Sequence, residues 1–186
     1  MNQRHPTILR REDALLLVVD FQQRLADVMP RRESVTAEIL KIIQGVKRLG
    51  VPVLVTEQYP QGLGPTVPEI AQTVEPDGVV TKLTFSCCGD ETFWEALRQT
   101  QRKQIVVVGM ETHVCVLQTV LDLLANDYQV HLPADATCSR SDSNRDNALA
   151  RMRQAGAILT NTESLLFELL VQAKTEEFKA ILKLII

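Results

Sequence analysis

The apolar positions of this chain follow two rhythms that take turns along its length. Ala14 to Asp20 reads ALLLVVD, a nearly unbroken apolar run closed by a carboxylate, as expected of a strand buried on both faces of a parallel sheet. Val35, Ile39, Ile42, Val46 and Leu49 then recur at helical spacing, and Gly50 supplies a stop. Val51 to Thr56 reads as a second strand, with Pro52 near its start, where a missing donor is tolerated. Val79 to Lys82 is a short strand, Asp90 to Thr100 a helix opened by an acidic cap, and Gln104 to Gly109 a central strand. His113 to Asn126 continues as a helix, Gln129 to Leu132 as a strand, Ser141 to Gln154 as a helix and Ala157 to Thr160 as a last strand. Between Glu57 and Gly78 the chain is rich in Pro and Gly, which predicts a long ordered loop with a short helix over one edge of the sheet.

Strand and helix alternating in this way predict an α/β fold, a three-layer doubly wound parallel sheet with helices on both faces. No internal repeat or low-complexity linker interrupts the alternation, and 186 residues suit one domain. The tail from Thr162 to Ile186 is amphipathic, with Leu165, Leu166, Leu169, Phe178, Ile181, Leu182 and Ile185 as its apolar set. Such a face must be covered, either by its own domain or by a second subunit, so a homo-oligomer is expected.

Composition narrows the function classes. The chain is 45% hydrophobic and 23% charged with a formal net charge of -3, an ordinary globular balance. Arg10-Arg11 and Arg31-Arg32 are offset by Glu12, Asp13 and Glu33, so no basic stripe for nucleic acid forms. No apolar run approaches the roughly 20 residues of a membrane span, and no membrane partner is expected. The polar segment from Met1 to Glu12 lacks a signal-peptide apolar region, which makes the cytosol the default compartment. The four cysteines are then expected as thiols. With no Cys-x-x-Cys pair, and histidines scattered at 5, 113 and 131, neither a metal site nor a cofactor is expected.

In open parallel sheets, ligands bind outside the carboxyl ends of the strands. Asp20 ends the first strand, Lys82 ends the third, and Cys115 follows the IVVVG strand, so an acid, a base and a thiol converge at one edge. Each alone has a plainer reading, as a turn cap, a surface charge and a buried small apolar residue. Together they form an acyl-transfer set. A helix N-terminus and the Lys82 ammonium are expected to lower the Cys115 pKa, Asp20 to move protons, and the amides of the turn GMETHVC to stabilise an oxyanion. Phe21, Tyr59 and Phe85 are candidate walls for a small planar substrate, and Thr112 and His113 lie in the nucleophile turn. Cys87 and Cys88 read as oxidisable neighbours or as buried structural residues, Cys138 has no evident partner, and Trp94 reads as core beside Leu97.

The segments LLLVVDFQQRL, VTEQYPQGLGPTVPE, TKLTFSCC, VVVGMETHVCVLQTVLDLL and DATCSR resemble, in this order, the isochorismatase-like hydrolase superfamily, over roughly the first 160 residues. The resemblance implies a flavodoxin-like sheet and a catalytic triad of Asp20, Lys82 and Cys115. It further implies a cis peptide between Met110 and Glu111 that aims the amides of Glu111 and Cys115, the oxyanion hole, at the substrate oxygen. Metal-dependent nicotinamidases of the superfamily carry Asp-x-His after the second strand, where this chain has Thr56-Glu57-Gln58-Tyr59. Isochorismatases that cleave a vinyl ether lack the nucleophilic cysteine. The TEQYPQGLGPTVPE loop is most similar to the isochorismatase domain-containing proteins. The expectation is therefore a cofactor-independent cysteine hydrolase cleaving a C-N bond in a small molecule. The alternatives are an oligomeric scaffold that retains the fold without turnover, and a redox protein in which a neighbouring cysteine resolves oxidised Cys115.

Overall fold

The computed structural model describes residues 4–75 and 78–186. Met1, Asn2 and Gln3 of the polar N-terminal segment, and Pro76 and Asp77 of the Pro/Gly-rich loop, lie outside the described residues. Among the described residues, β1 (Ala14–Val19), β2 (Val53–Gln58), β3 (Val79–Lys82), β4 (Gln104–Met110), β5 (Gln129–Pro133), β6 (Thr137–Cys138) and β7 (Ile158–Thr160) form one parallel sheet. The order across it is β3-β2-β1-β4-β5-β7, with β6 paired beside the end of β4.

Both central strands, β1 and β4, are buried at every position, which is why their sequences show no polar alternation. Their side chains still sort by parity. Leu16, Val18, Val106 and Val108 pack beneath α2 (Arg32–Arg48), α8 (Thr162–Leu170) and α9 (Glu176–Ile185). Leu15, Leu17, Val19, Ile105 and Val107 face α5 (Glu91–Thr100), α6 (Leu117–Ala125) and α7 (Asp142–Gln154). Each fully buried Leu or Ile stabilises the fold by about 1.5–3 kcal/mol, so two such layers lock the central strands from both sides. The tail covers itself within the chain. Leu165, Leu166, Leu169 and Ile181 are wholly buried in the α2-side core, and Arg11 holds Glu177 through two bonds of 3.1 Å.

The structure departs from the sequence-based boundaries where tertiary pairing decides. β2 runs on to Gln58 because β3 pairs with it through Glu57↔Thr81 and Gln58↔Lys82. The loop after β2 folds into α3 (Pro60–Leu63) and α4 (Pro68–Ala71), each with a proline in its first turn; α3 packs against α1 (Gln23–Ala26), which follows β1, and α4 against α2. The helix expected from His113 is preceded by a single π-type turn, Thr112–Val116, in which the Val116 amide donates to the Glu111 carbonyl at 3.3 Å. Two residues long, β6 is too short to leave a pattern in the sequence.

Candidate active site

The carboxyl ends of β1 to β4 create the site. Gly109 of β4 has φ +117 and faces Val19, and an added Cβ would run into the Val19 carbonyl, so glycine lets the two strand ends close together. The next residue past β1, Asp20, turns to φ 48 and is fully buried. Its amide donates to the Thr56 carbonyl at 3.1 Å and to Thr56 Oγ1 at 3.3 Å, and the Thr56 hydroxyl donates back to Asp20 Oδ1 at 2.7 Å. The other carboxylate oxygen, Oδ2, accepts from Lys82 Nζ at 2.7 Å.

Neither side chain of the Asp20–Lys82 pair has any exposure. A pair this deep is tolerable only when its remaining hydrogen-bonding capacity is met. Lys82 Nζ also donates to Gln58 Oε1 at 2.9 Å and to the carbonyls of Phe85 at 3.0 Å and Thr84 at 3.1 Å. An ammonium has three N–H bonds, so these four acceptors use it completely. Gln58 is fixed in turn by the Gln22 side-chain amide, which accepts from the Gln58 N–H at 2.8 Å and donates to the Gln58 carbonyl at 3.0 Å.

Cys115 lies in the π-type turn and is 5% exposed. Asp20 and Lys82 meet at 2.7 Å, and the charges of both act on the Cys115 thiol. Its expected activation is corrected. Burial first, and the Asp20 charge second, push the Cys115 thiol well above its ordinary value, and the opposing pull of Lys82 does not overcome them. Lys82 is already committed to Asp20, and two amides of the turn, Val114 and Val116, are spent on the Glu111 carbonyl at 3.0 and 3.3 Å. The substrate-free sulfur therefore keeps its proton beside a carboxylate.

The peptide between Met110 and Glu111 is cis. The Glu111 carboxylate accepts from the backbone amide of Arg140 at 3.0 Å and from its Nε at 3.1 Å. His113 Nδ1 lies 3.0 Å from Ser139 Oγ, so the nucleophile turn is braced against the segment after β6 at two points. Thr112 is wholly buried, and its hydroxyl has no protein partner among the described residues.

Of the candidate substrate walls, Phe21 is corrected to a packing residue: it is wholly buried in the α2-side core, on the other face of the sheet from Cys115. Tyr59 and Phe85 are exposed, as is Leu83, around Lys82. Tyr59 donates its amide to the Lys82 carbonyl at 2.9 Å and lines, with Pro60, Leu83, Thr84 and Asp90, an open groove of ≈ 510 Å³. All four cysteines are free. Buried Cys87 donates to Thr56 Oγ1 at 3.7 Å, and burial together with the Asp20 charge pushes its thiol up to about 11. Burial likewise raises Cys88 and Cys138 to about 12. Trp94 is half-buried, its indole donating to the Cys88 carbonyl at 2.7 Å, while Phe93 and Leu97 hold the core positions of α5.

Thr56, Gln58 and the clamp from Glu111 to Arg140 are site features beyond those expected from the sequence. For the first two a signal existed: Thr56 and Gln58 are polar residues two apart at the end of an apolar strand, hence on one face.

An isochorismatase domain model matches residues 14–164. Mouse isochorismatase domain-containing protein 2A is 42% identical over 178 residues, covering 94% of this chain and 83% of the mouse protein. The structure of MAR1 ribonuclease from Caenorhabditis elegans aligns with a TM-score of 0.89 at 35% identity, covering 95% of this chain and 91% of the worm chain. YcaC from Pseudomonas aeruginosa, solved with hexane-2,5-diol and covalent acrylamide, aligns with a TM-score of 0.89 at 28% identity, covering 98% and 93%. A strand order, a domain match across most of the chain and relatives at this identity lead to one conclusion: the chain belongs to the isochorismatase-like hydrolase family.

Proposed function

We propose that this protein is a cofactor-independent hydrolase that cleaves an amide-type C-N bond in a small molecule, with Cys115 as nucleophile. The observation that carries the reading is a fully buried Asp20–Lys82 pair, 2.7 Å apart, whose charges both bear on the buried Cys115 thiol. As Cys115 Sγ attacks the carbonyl carbon, its proton passes to Asp20. The amides of Glu111 and Cys115 receive the developing oxyanion. Asp20 then hands the proton to the leaving nitrogen, the C-N bond breaks and a thioester remains. Water, deprotonated by Asp20, releases the acid and regenerates the thiol. Lys82 has no N–H to offer a substrate and serves to fix Asp20. Tyr59, Phe85 and Thr112 are proposed to contact the substrate.

The covalent acrylamide of the P. aeruginosa protein, an electrophile held by a relative, supports a nucleophilic site. RNA is a poorer substrate candidate than its worm relative's name suggests. The net charge is -3, and Arg31 and Arg98 are paired with Asp142 and Glu91. The high thiol also disfavours the redox reading, because oxidation proceeds through the thiolate. A homo-oligomer remains the proposed state, supported by exposed Leu83, and the cytosol the proposed compartment. The test is ammonia or amine release from a panel of small amides. The reading predicts turnover of at least one, lost in both Cys115→Ala and Asp20→Asn; turnover undiminished in Cys115→Ala overturns it.

A further inference from the structure

The two oxygens of Asp20 are held by different kinds of partner. Oδ2 takes a full charge from Lys82 at 2.7 Å, and Oδ1 takes a neutral hydroxyl hydrogen from Thr56 at the same distance. That hydroxyl has little freedom to point elsewhere. Its oxygen accepts from the Asp20 amide at 3.3 Å and from Cys87 Sγ at 3.7 Å, so its own hydrogen is directed to the carboxylate. Thr56 is wholly buried, and its backbone carbonyl also receives the Asp20 amide at 3.1 Å. Two residues on, Gln58 does for Lys82 what Thr56 does for Asp20, accepting from Nζ at 2.9 Å. One strand thus braces both members of the ion pair.

We propose that Thr56 is a positioning residue of the hydrolase site: by pinning Oδ1 while Lys82 pins Oδ2, it fixes the plane of the Asp20 carboxylate and tempers the negative charge that Cys115 meets. The inference rests on the reading of Asp20 as the proton partner of Cys115. A hydroxyl donating to Oδ1 competes with the thiol for that oxygen, so its removal strengthens the hold of Asp20 on the sulfur proton. Cys115 faces Asp20, Lys82 and Cys87 as its charged or titratable neighbours, and only the first is touched by Thr56 through a short bond.

The test is the pH profile of Cys115 alkylation by iodoacetamide, read by peptide mass spectrometry. Thr56→Val is expected to move the midpoint up by about one pH unit, about a tenfold slower reaction at fixed pH below it, on the scale of one hydrogen bond to a charged group. Thr56→Ser, which restores the hydroxyl, is expected to keep the midpoint, and Thr56→Val introduced into Asp20→Asn is expected to shift nothing further. If Thr56→Val does not fold, Thr56→Ala runs through the same cycle. A midpoint unmoved by loss of the hydroxyl, or moved equally in the Asp20→Asn background, overturns the role of Thr56 alone. A midpoint that Asp20→Asn itself leaves in place removes the coupling of Asp20 to Cys115, and with it the reading beneath.

Discussion

The two halves of the site are built on opposite terms. On the β1–β3 side, charge is buried and fully satisfied: Asp20, Lys82, Thr56, Gln58 and Gln22 exchange hydrogen bonds until little capacity is left. On the β4 side, the nucleophile turn carries no comparable satisfaction at its reactive atom. Cys115 is neutral and held so by burial, and the Thr112 hydroxyl has no protein partner among the described residues. The difference separates two tasks. In the proposed mechanism the base must be immobile before substrate arrives, whereas the nucleophile gains by staying protonated, and so protected, until a carbonyl is beside it.

The sharpest way to break this comparison is to remove one member from each half. Lys82→Met strands a buried carboxylate and is expected to cost about 3–5 kcal/mol in urea unfolding, whereas Cys115→Ala removes only a small neutral group and should cost about 1 kcal/mol. Equal losses would mean that the base side is no more committed than the turn. A smaller effect is expected from the clamp. Glu111→Ala deprives the Arg140 amide and Nε of their acceptor and should cost about 1–3 kcal/mol. His113→Ala, which loses a single contact to Ser139 at a partly exposed site, should cost about 0.5–1 kcal/mol. If the His113 change were the larger, the turn would be held by the imidazole and not by the carboxylate.

How far the sequence could be read differs between the same two halves. Asp20, Lys82 and Cys115 were legible because strand ends in an alternating α/β chain fall at one edge, so position alone gathers them. The parity that splits β1 between two cores was not, since a strand buried on both faces shows no alternation. Phe21 misled because it follows Asp20 at the strand end, yet the turn at Asp20, with φ 48, is followed by a ring buried in the α2-side core. The extension of β2 to Gln58 required knowing that β3 lies alongside, and the lowered thiol expected from a helix N-terminus and Lys82 left out the burial of the sulfur and the Asp20 charge upon it. Proximity was readable; which partner claims which hydrogen bond was not.

The central claim is that one carboxylate adds to burial in keeping the proton on Cys115 and carries that proton during reaction. Because the folded thiol titrates above its ordinary value, alkylation by iodoacetamide in the wild-type protein should go on rising at pH values where a free thiol has levelled off. The most direct test measures that alkylation and amide cleavage side by side in wild type and Asp20→Asn. With the negative charge gone and Lys82 left to favour the thiolate, the alkylation midpoint is predicted to fall while amide cleavage disappears. An unchanged midpoint, or cleavage that survives in Asp20→Asn, would contradict it.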